Sequence, residues 1–194
     1  PEKQLFSDTV IQDVEFGPLN LGESATTAKQ AAVDALSMVH VPQSLFKHSP
    51  FELSGGQMRR VAIAGVLAMH PQILIMDEPT AGLDPQGQNE IFRLMQSLNQ
   101  QGVTIIWVSH RMEQVAAYAS DVLVLNDGRL LFNGDPHELF EQEDQMQVAG
   151  LEAPQATIFA QKLAKQGLNL DRLPLTVADL SAAIVDKLKE GRHE

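Results

Sequence analysis

Two acidic residues, Asp77 and Glu78, stand directly after four apolar residues in the stretch ILIMDE (73–78). An apolar run of this kind is typical of a buried strand. Acids at the carboxyl end of such a strand can hold Mg²⁺ and activate water beside a nucleotide phosphate. We therefore predict that Asp77 binds Mg²⁺, directly or through water, and that Glu78 polarises the attacking water. The structural alternative is a pair of solvated acids at the end of a strand.

The pentapeptide LSGGQ (53–57) has the features of an anion site at the start of a helix. Ser54 and Gln57 have the spacing of a capping box, which by itself would be a purely structural role. Gly55 and Gly56 favour a functional interpretation, because glycines let a ligand approach the backbone and N–H groups at a helix amino terminus attract anions.

Two further residues, His110 and Asp84, follow predicted strands or turns close to these motifs. His110 follows the apolar run VTIIWV (103–108), and its imidazole could make a charge-assisted hydrogen bond to a terminal phosphate, which contributes about 1.5–3 kcal/mol. The alternative is a structural histidine, with Ser109 capping the next helix. Asp84, in a glycine-containing turn after Glu78, could simply cap the helix that follows.

The elements that must position these residues follow an α/β pattern. Short apolar runs without alternation predict strands that are covered on both faces, as in a parallel sheet. The three runs are ILIM (73–76), VTIIWV (103–108) and VLVLN (122–126). Helices are predicted between them, at about 86–100 and 111–119, which gives the strand–helix–strand order of an α/β fold. The dipeptide Asp127-Gly128 predicts a hairpin that returns as RLLFN (129–133).

Helical spacing predicts two helices on the amino-terminal side of these strands, at 26–39 and from Ser54 to about Met69. Gly17-Pro18 is predicted to break the amphipathic pattern of residues 10–16. The last fifty residues are predicted to form an appendage with two helices. Their apolar positions are Ile158, Phe159 and Leu163 in one, and Leu180, Ile184 and Leu188 in the other, which follows a capping box at Thr176 and Asp179.

The composition of the 194 residues, 44% hydrophobic and 20% charged, is ordinary for a globular protein. A net charge of −11 argues against a sequence-independent grip on nucleic acid, so we expect no nucleic-acid partner. The absence of cysteine excludes disulfides, thiolate metal sites and cysteine nucleophiles. The run VAIAGVLAM (61–69) is too short to span a bilayer, which favours a chain that is soluble or reaches a membrane through a partner.

In this order along the chain, the motifs resemble those of the ATP-binding subunits of ATP-binding-cassette (ABC) transporters. LSGGQ is similar to the family signature, ILIMDE to the Walker B strand with its catalytic glutamate, AGLD (81–84) to the D-loop, and His110 to the switch histidine. A narrower resemblance, to the ATPases of energy-coupling factor (ECF) transporters, depends on residues 1–22, 118–140 and LNLDRLPLTVADL (168–180).

The resemblance implies an α/β P-loop NTPase fold. In this fold a RecA-like parallel sheet carries an inserted helical ABC subdomain and a small α-rich dimerisation appendage. We expect the end of the Q-loop region at 1–17, the helical signature subdomain at 18–56, the RecA-like core at 57–140 and the appendage at 141–194. None of the 13 glycines is followed by lysine, so the Walker A pattern is absent from these residues. We therefore expect an N-terminally incomplete chain that is inactive alone.

The resemblance also implies ATP hydrolysis with Mg²⁺ in a head-to-tail dimer with a second, identical or different ATPase subunit. Ser54, Gly55, Gly56 and Gln57 would bind the γ-phosphate of ATP held by the partner subunit, and Asp84 would complete this set across the interface. Asp77, Glu78 and His110 would serve the nucleotide on their own side. Further implied partners are a transmembrane coupling subunit and a membrane substrate-binding subunit. The subunit would then lie on the cytoplasmic face of the cell membrane and power uptake of vitamins or transition-metal ions.

Two other interpretations stay open from the residues. The chain could be a truncated, non-catalytic module that lends LSGGQ to a full-length partner, although retention of both Glu78 and His110 disfavours this. It could also be a soluble ABC ATPase of DNA repair or translation. Proteins of that kind carry coiled coils or basic linkers, which this acidic chain lacks.

Overall fold

The computed structural model describes residues 5–190, and the chain divides after Val108 into two compact units. The first unit contains α1 (Val10–Asn20), α2 (Ala25–Met38), α3 (Gly55–Leu67), β1 (Ile73–Asp77), α4 (Pro85–Gln100) and β2 (Thr104–Val108). Single turns of 3-10 helix at Gln43–Leu45 and Pro50–Glu52 connect α2 to α3. The second unit contains α5 (Met112–Tyr118), β3 (Val122–Asn126), β4 (Arg129–Gly134), α6 (Pro136–Glu141), α7 (Glu143–Val148), α8 (Gln155–Lys165) and α9 (Val177–Glu190).

Helices α1, α2 and α3 pack against one another through small and branched apolar side chains. Each helix begins where a hydroxyl accepts a hydrogen bond from a first-turn N–H, at Thr9, Ser24 and Ser54 respectively. Their buried side chains include Val10, Val14, Ala28, Ala32, Ala35, Leu36 and Val61. The alanine-rich face of α2 lets the helices approach closely, so the amino-terminal end of α3 is held on a rigid support.

The predicted break at Gly17-Pro18 is wrong, because α1 continues through both residues to Asn20. The reason is tertiary packing. A side chain at Gly17 would come within 2.9 Å of the Met69 side chain and 3.2 Å of the carbonyl oxygen of Gly65, so a residue without Cβ is needed where α1 crosses this segment. Pro18 is itself buried in the last turn of the helix, where its missing N–H removes one hydrogen bond to the carbonyl four residues earlier and only two helical residues follow.

Asp13 is a buried carboxylate in α1, with 8% of its surface exposed. It accepts hydrogen bonds from the backbone N–H groups of Phe6, at 3.1 Å, and Ser7, at 3.3 Å. Burial raises the pKa of the Asp13 carboxyl and outweighs these two donors, which lower it. The folded chain therefore binds this proton more tightly than the unfolded chain does.

We predict that Asp13→Ala lowers the free energy of unfolding by about 1–3 kcal/mol, since two N–H groups lose their acceptor. Asp13→Asn keeps an acceptor oxygen without the buried charge, and we expect it to be at least as stable as the wild type at pH 7. As the pH falls from the raised pKa towards the ordinary aspartate value, the wild type should gain stability relative to Asp13→Asn. Urea titrations of the three proteins across this pH range measure both effects, and a pH-independent difference would contradict the second.

Strands β1 and β2 form a parallel pair, with Ile73 opposite Thr104 and Asp77 opposite Val108. One face is covered, because Leu74 and Met76 are buried and Trp107 meets Phe92 of α4 edge to face, with ring centroids 5.2 Å apart. The other face is exposed within the described part of the chain, and its apolar side chains are Ile73, Ile75, Ile106 and Val108. The prediction that these strands are covered on both faces is therefore wrong for residues 5–190.

In the second unit, β3 and β4 form the hairpin predicted from Asp127-Gly128, and both turn residues have positive φ, of 48° and 73°. Two left-handed residues give the twist that a two-residue hairpin needs, which confirms the prediction. Among the described residues β3 pairs with β4 alone and antiparallel, so VLVLN is not seen in a parallel sheet here. Its exposed side chains are Leu123 and Leu125.

The appendage contains helices α8 and α9, which contact each other. The predicted helix is confirmed as α8, and of its apolar stripe Ile158 and Leu163 are half-buried and Phe159 is exposed. The face that α8 buries most completely contains Ala156, Thr157 and Ala160. Small residues lie on that face because the segment before α9 packs closely against it, with the Thr157 hydroxyl donating to the carbonyl of Pro174 at 2.9 Å. The capping box of Thr176 and Asp179 is confirmed. Within residues 5–190, every helix is too short or too polar to cross a membrane.

Candidate functional site

The two acids lie where the sequence placed them, at the carboxyl end of β1. Asp77 is the last residue of the strand, and the Glu78 N–H continues the ladder by donating to the carbonyl of Val108 at 3.0 Å. At Glu78 the backbone then turns with a φ of 45°, a left-handed conformation that is uncommon for a residue other than glycine. The strand prediction is thus confirmed, whereas the chemical roles of Asp77 and Glu78 stay predictions.

The surroundings of Asp77 fit an ion that is held mainly by water and phosphate. Its side chain is exposed, on the open face of the β1–β2 pair. Residues 5–190 contain no group of three or more acidic or histidine side chains placed to hold a metal ion. Mg²⁺ usually retains several waters and takes only one or two protein carboxylates beside a nucleotide, so a single aspartate is a suitable donor.

The residues between Glu78 and α4 form tight turns. The N–H of Ala81 donates to the carbonyl of Glu78 at 3.1 Å, and Gly82 has a φ of 73°. Asp84 is the N-cap of α4, and its carboxylate accepts from the N–H of Gly87 at 2.9 Å. The structural interpretation of Asp84 is therefore confirmed, and its place at a subunit interface stays a prediction.

The capping box in LSGGQ is confirmed at the start of α3. The Ser54 hydroxyl accepts from the Gln57 N–H at 3.3 Å, and the Gln57 side chain accepts from the Ser54 N–H at 3.0 Å. The N–H groups of Gly55 and Gly56 belong to the first turn, which has no acceptors within the helix. Among residues 5–190, a Cβ added at either glycine would meet no atom within 4 Å. The packing of the chain therefore does not require glycine at these two positions.

His110 lies in the turn between β2 and α5 and is exposed. The register of the sheet places Asp77 opposite Val108, and His110 follows Val108 by two residues along the chain. Helix α5 begins at Met112 and its N-cap is Arg111, so Ser109 is not the N-cap. The Ser109 hydroxyl instead accepts a hydrogen bond from the Arg111 N–H at 3.1 Å. The short turn before the helix needs this bond, which spans only two residues.

Two arginines that the motifs did not include follow the signature residues on α3, and Arg59 contacts the loop after Glu78. The Arg59 guanidinium donates to the carbonyl oxygen of Pro79, the residue after Glu78, and the Arg60 guanidinium pairs with Glu90 of α4. In the sequence, a role for these arginines is indicated by their position shortly after the signature residues, on a helix that is otherwise mostly apolar. Their partners lie 20 and 30 residues away along the chain, and no local pattern predicts contacts over that separation.

The chain is similar in sequence to one known protein family and to several curated proteins. The ABC transporter family matches residues 2–81. The chain is 48% identical over 184 residues to the energy-coupling factor transporter ATP-binding protein EcfA2 of Streptococcus agalactiae, covering 95% of this chain and 66% of that protein. It is 48% identical over 193 residues to the EcfA2 protein of Lactobacillus delbrueckii subsp. bulgaricus, covering 100% of this chain and 67% of the relative. The chain thus spans about two thirds of the length of these curated relatives.

Two solved structures show the same fold over most of the described chain. One is cbiO1 from Clostridium perfringens, described as part of the ABC transporter complex cbiONQ. It has 35% identity and a TM-score of 0.67, with 86% of this chain and 64% of that chain covered. The other is the dimeric bacterial ABC transporter cassette MJ0796, with 32% identity and a TM-score of 0.56 over 66% of this chain and 56% of that one.

Proposed function

Since the chain belongs to the ABC transporter family, among the ATP-binding proteins of energy-coupling factor transporters, we propose that it is an ATP-hydrolysing subunit that powers such an importer. The observation that carries the proposal is the end of β1. There, two adjacent carboxylates follow the strand, and the backbone of the second is fixed by its bond to β2. The names of the relatives include ATP binding and transport. The cargo that we propose for the importer is a vitamin or a transition-metal ion.

In the proposed reaction Glu78 accepts a proton from the water that attacks the γ-phosphate, and His110 donates a hydrogen bond to that phosphate. Asp77 holds Mg²⁺, which when bound neutralises charge on the phosphate oxygens. The first-turn N–H groups of α3 receive the γ-phosphate of ATP held by a second ATPase subunit, because a helix amino terminus favours an anion. ATP then lies between two subunits and stabilises their closed dimer until hydrolysis.

The partners follow from this arrangement. They are a second ATPase subunit, identical or different, a transmembrane coupling subunit, and a membrane protein that binds the substrate. The proposed location is the cytoplasmic face of the membrane. We place dimer contacts in the appendage, because Val177, Val185 and Leu188 of α9 are large apolar side chains with 46–73% of their surface exposed. Residues 18–56 are proposed as the helical subdomain and 57–140 as the core.

We predict that the intact subunit, reconstituted in liposomes with its partner ATPase and membrane subunits, hydrolyses ATP with Mg²⁺ and drives uptake. As a control, a polypeptide limited to residues 1–194 should show neither ATP hydrolysis nor uptake, because it contains no G-x-x-x-x-G-K-[ST] sequence to hold the phosphates. Phosphate release and accumulation of labelled vitamin or metal ion are the two measurements. Uptake without ATP consumption, or ATP consumption without uptake of either cargo, would overturn the proposal. If the assembled dimer still hydrolyses ATP when this subunit contributes only LSGGQ to its partner's nucleotide, the subunit is a non-catalytic module.

A further inference from the structure

We propose that Arg59 is a positioning residue that couples the amino terminus of α3 to the loop carrying Glu78. The inference rests on the proposed function, because it needs nucleotide phosphate at α3 and chemistry at Glu78. It goes further by connecting two nucleotide sites of the dimer, the one that α3 shares with the partner and the one that Glu78 serves. None of the four motifs includes Arg59.

The contact itself joins the two elements directly. The Arg59 guanidinium donates to the carbonyl oxygen of Pro79 in a half-buried position, and Pro79 is buried. A hydrogen bond from a charged donor is stronger than a neutral one, and shielding from water strengthens it further. Because the proline ring fixes φ at Pro79, displacement of this carbonyl is transmitted to the neighbouring peptide of Glu78 more readily than it would be from a freely rotating residue.

The backbone of Glu78 needs such support. Its left-handed φ of 45° is an unfavourable backbone conformation for a residue with a side chain. Two hydrogen bonds hold it within the loop and sheet, from its own N–H to Val108 at 3.0 Å and from the Ala81 N–H to its carbonyl at 3.1 Å. The bond from Arg59 adds a third constraint, and it comes from a different element, α3.

Helix α3 provides a short, stiff connection. Arg59 follows the N-cap Ser54 by five residues, which corresponds to about 7.5 Å along a helix axis. The first turn is closed by the capping box, and the Met58 N–H donates to the Ser54 carbonyl at 2.8 Å, so the helix is regular from its start. Movement of the first turn towards a bound phosphate therefore displaces the Arg59 side chain, and with it the carbonyl beside Glu78.

Arg60 provides a matched comparison on the same helix. It is half-buried like Arg59, and its guanidinium pairs with Glu90 in the middle of α4. Glu90 lies inside α4, outside the loop at 78–84, and its carboxylate accepts hydrogen bonds from the side chains of Arg60 and Gln86. Loss of the Arg60 pair removes an arginine and a charge-assisted contact from α3 without releasing the loop.

The test is ATP hydrolysis by the assembled dimer carrying Arg59→Met, with Arg60→Met as the matched control. For Arg59→Met we expect kcat to fall on the order of tenfold, with KM for ATP and ATP-driven dimer formation within about twofold of wild type. For Arg60→Met we expect a similar change in thermal stability and a kcat within about twofold. Arg59→Lys, which keeps a charged donor for the carbonyl, should recover most of the lost kcat.

Each outcome decides the question. Unchanged kcat in Arg59→Met, an equal fall in both variants, or no recovery with Arg59→Lys would overturn the coupling. If Arg59→Met does not fold, Arg59→Gln keeps a polar group at this half-buried position but is too short to reach Pro79, and it should show the same loss of kcat. An inactive wild-type dimer would instead overturn the proposed function, so the two failures are distinguishable.

Discussion

Glu78→Gln in the assembled ATPase is expected to lower kcat for ATP hydrolysis by about 10²–10⁴, the range that a general base contributes. Glutamine has nearly the same size and keeps a hydrogen-bonding oxygen, but its amide cannot accept a proton from water at neutral pH. The backbone bond from residue 78 to Val108 is unaffected, so the loop should keep its conformation. ATP binding should persist, and because hydrolysis opens the dimer in the proposed mechanism, the variant should accumulate as an ATP-bound dimer.

The measurements are steady-state phosphate release and size-exclusion chromatography with ATP and Mg²⁺. Glu152→Gln is the matched control, because it makes the same chemical change at an exposed position in the loop before α8. We expect the control to retain wild-type kcat and to return to monomers or loose dimers after hydrolysis. A kcat for Glu78→Gln within about threefold of wild type would show that another group activates the water.

Gly56→Ala is expected to keep or raise the stability of the fold and to lower the rate of ATP hydrolysis. A Cβ at this position meets no atom within 4 Å, and the residue lies in the first turn of α3, where alanine is a better helix former than glycine. The free energy of unfolding should therefore stay the same or rise by about 0.4–1 kcal/mol. If the open space in front of Gly56 receives a phosphate, the added methyl group keeps the anion away from the N–H groups. We then expect kcat/KM to fall by roughly 10², comparable to the loss of an oxyanion donor.

Gly65→Ala is the control for this experiment. Gly65 lies in the same helix, and a Cβ there also meets no atom within 4 Å. We expect it to stabilise the helix by about 0.5–1 kcal/mol and to leave ATP hydrolysis unchanged. Denaturant titrations and phosphate-release assays on both variants give the comparison. Wild-type hydrolysis in Gly56→Ala would contradict a phosphate site at the start of α3.

Features encoded within a few residues were predictable from the sequence. The capping box of Ser54 and Gln57 and the hairpin turn at Asp127-Gly128 depend on side chains and backbone preferences three residues apart or fewer, and both are confirmed. The acids after β1 were predictable for the same reason, since an apolar run and its first polar residues are adjacent. Family resemblance supplied the rest of the candidate site, whose roles are open to the experiments above.

Features that depend on packing between distant segments were not predictable. Gly17 reads as a helix breaker on local propensity, yet the closeness of Met69 makes it the residue that lets α1 pass. In α8 the helix was predictable from its apolar positions, but the burial of Ala156 and Thr157 was not, because it depends on the segment before α9 that lies against them. Arg59 is the most informative case, because its partner is a backbone carbonyl, which carries no signature in the sequence.

The left-handed backbone at Glu78 has an evolutionary consequence. On conformational grounds alone, glycine, asparagine or aspartate would be favoured at this position. Selection for folding therefore opposes glutamate here, and the proposed role of Glu78 in hydrolysis is the property for which selection would retain it. In a lineage where a duplicated subunit no longer needs to turn over its nucleotide, residue 78 should be among the first to drift, and in the direction of those three residues.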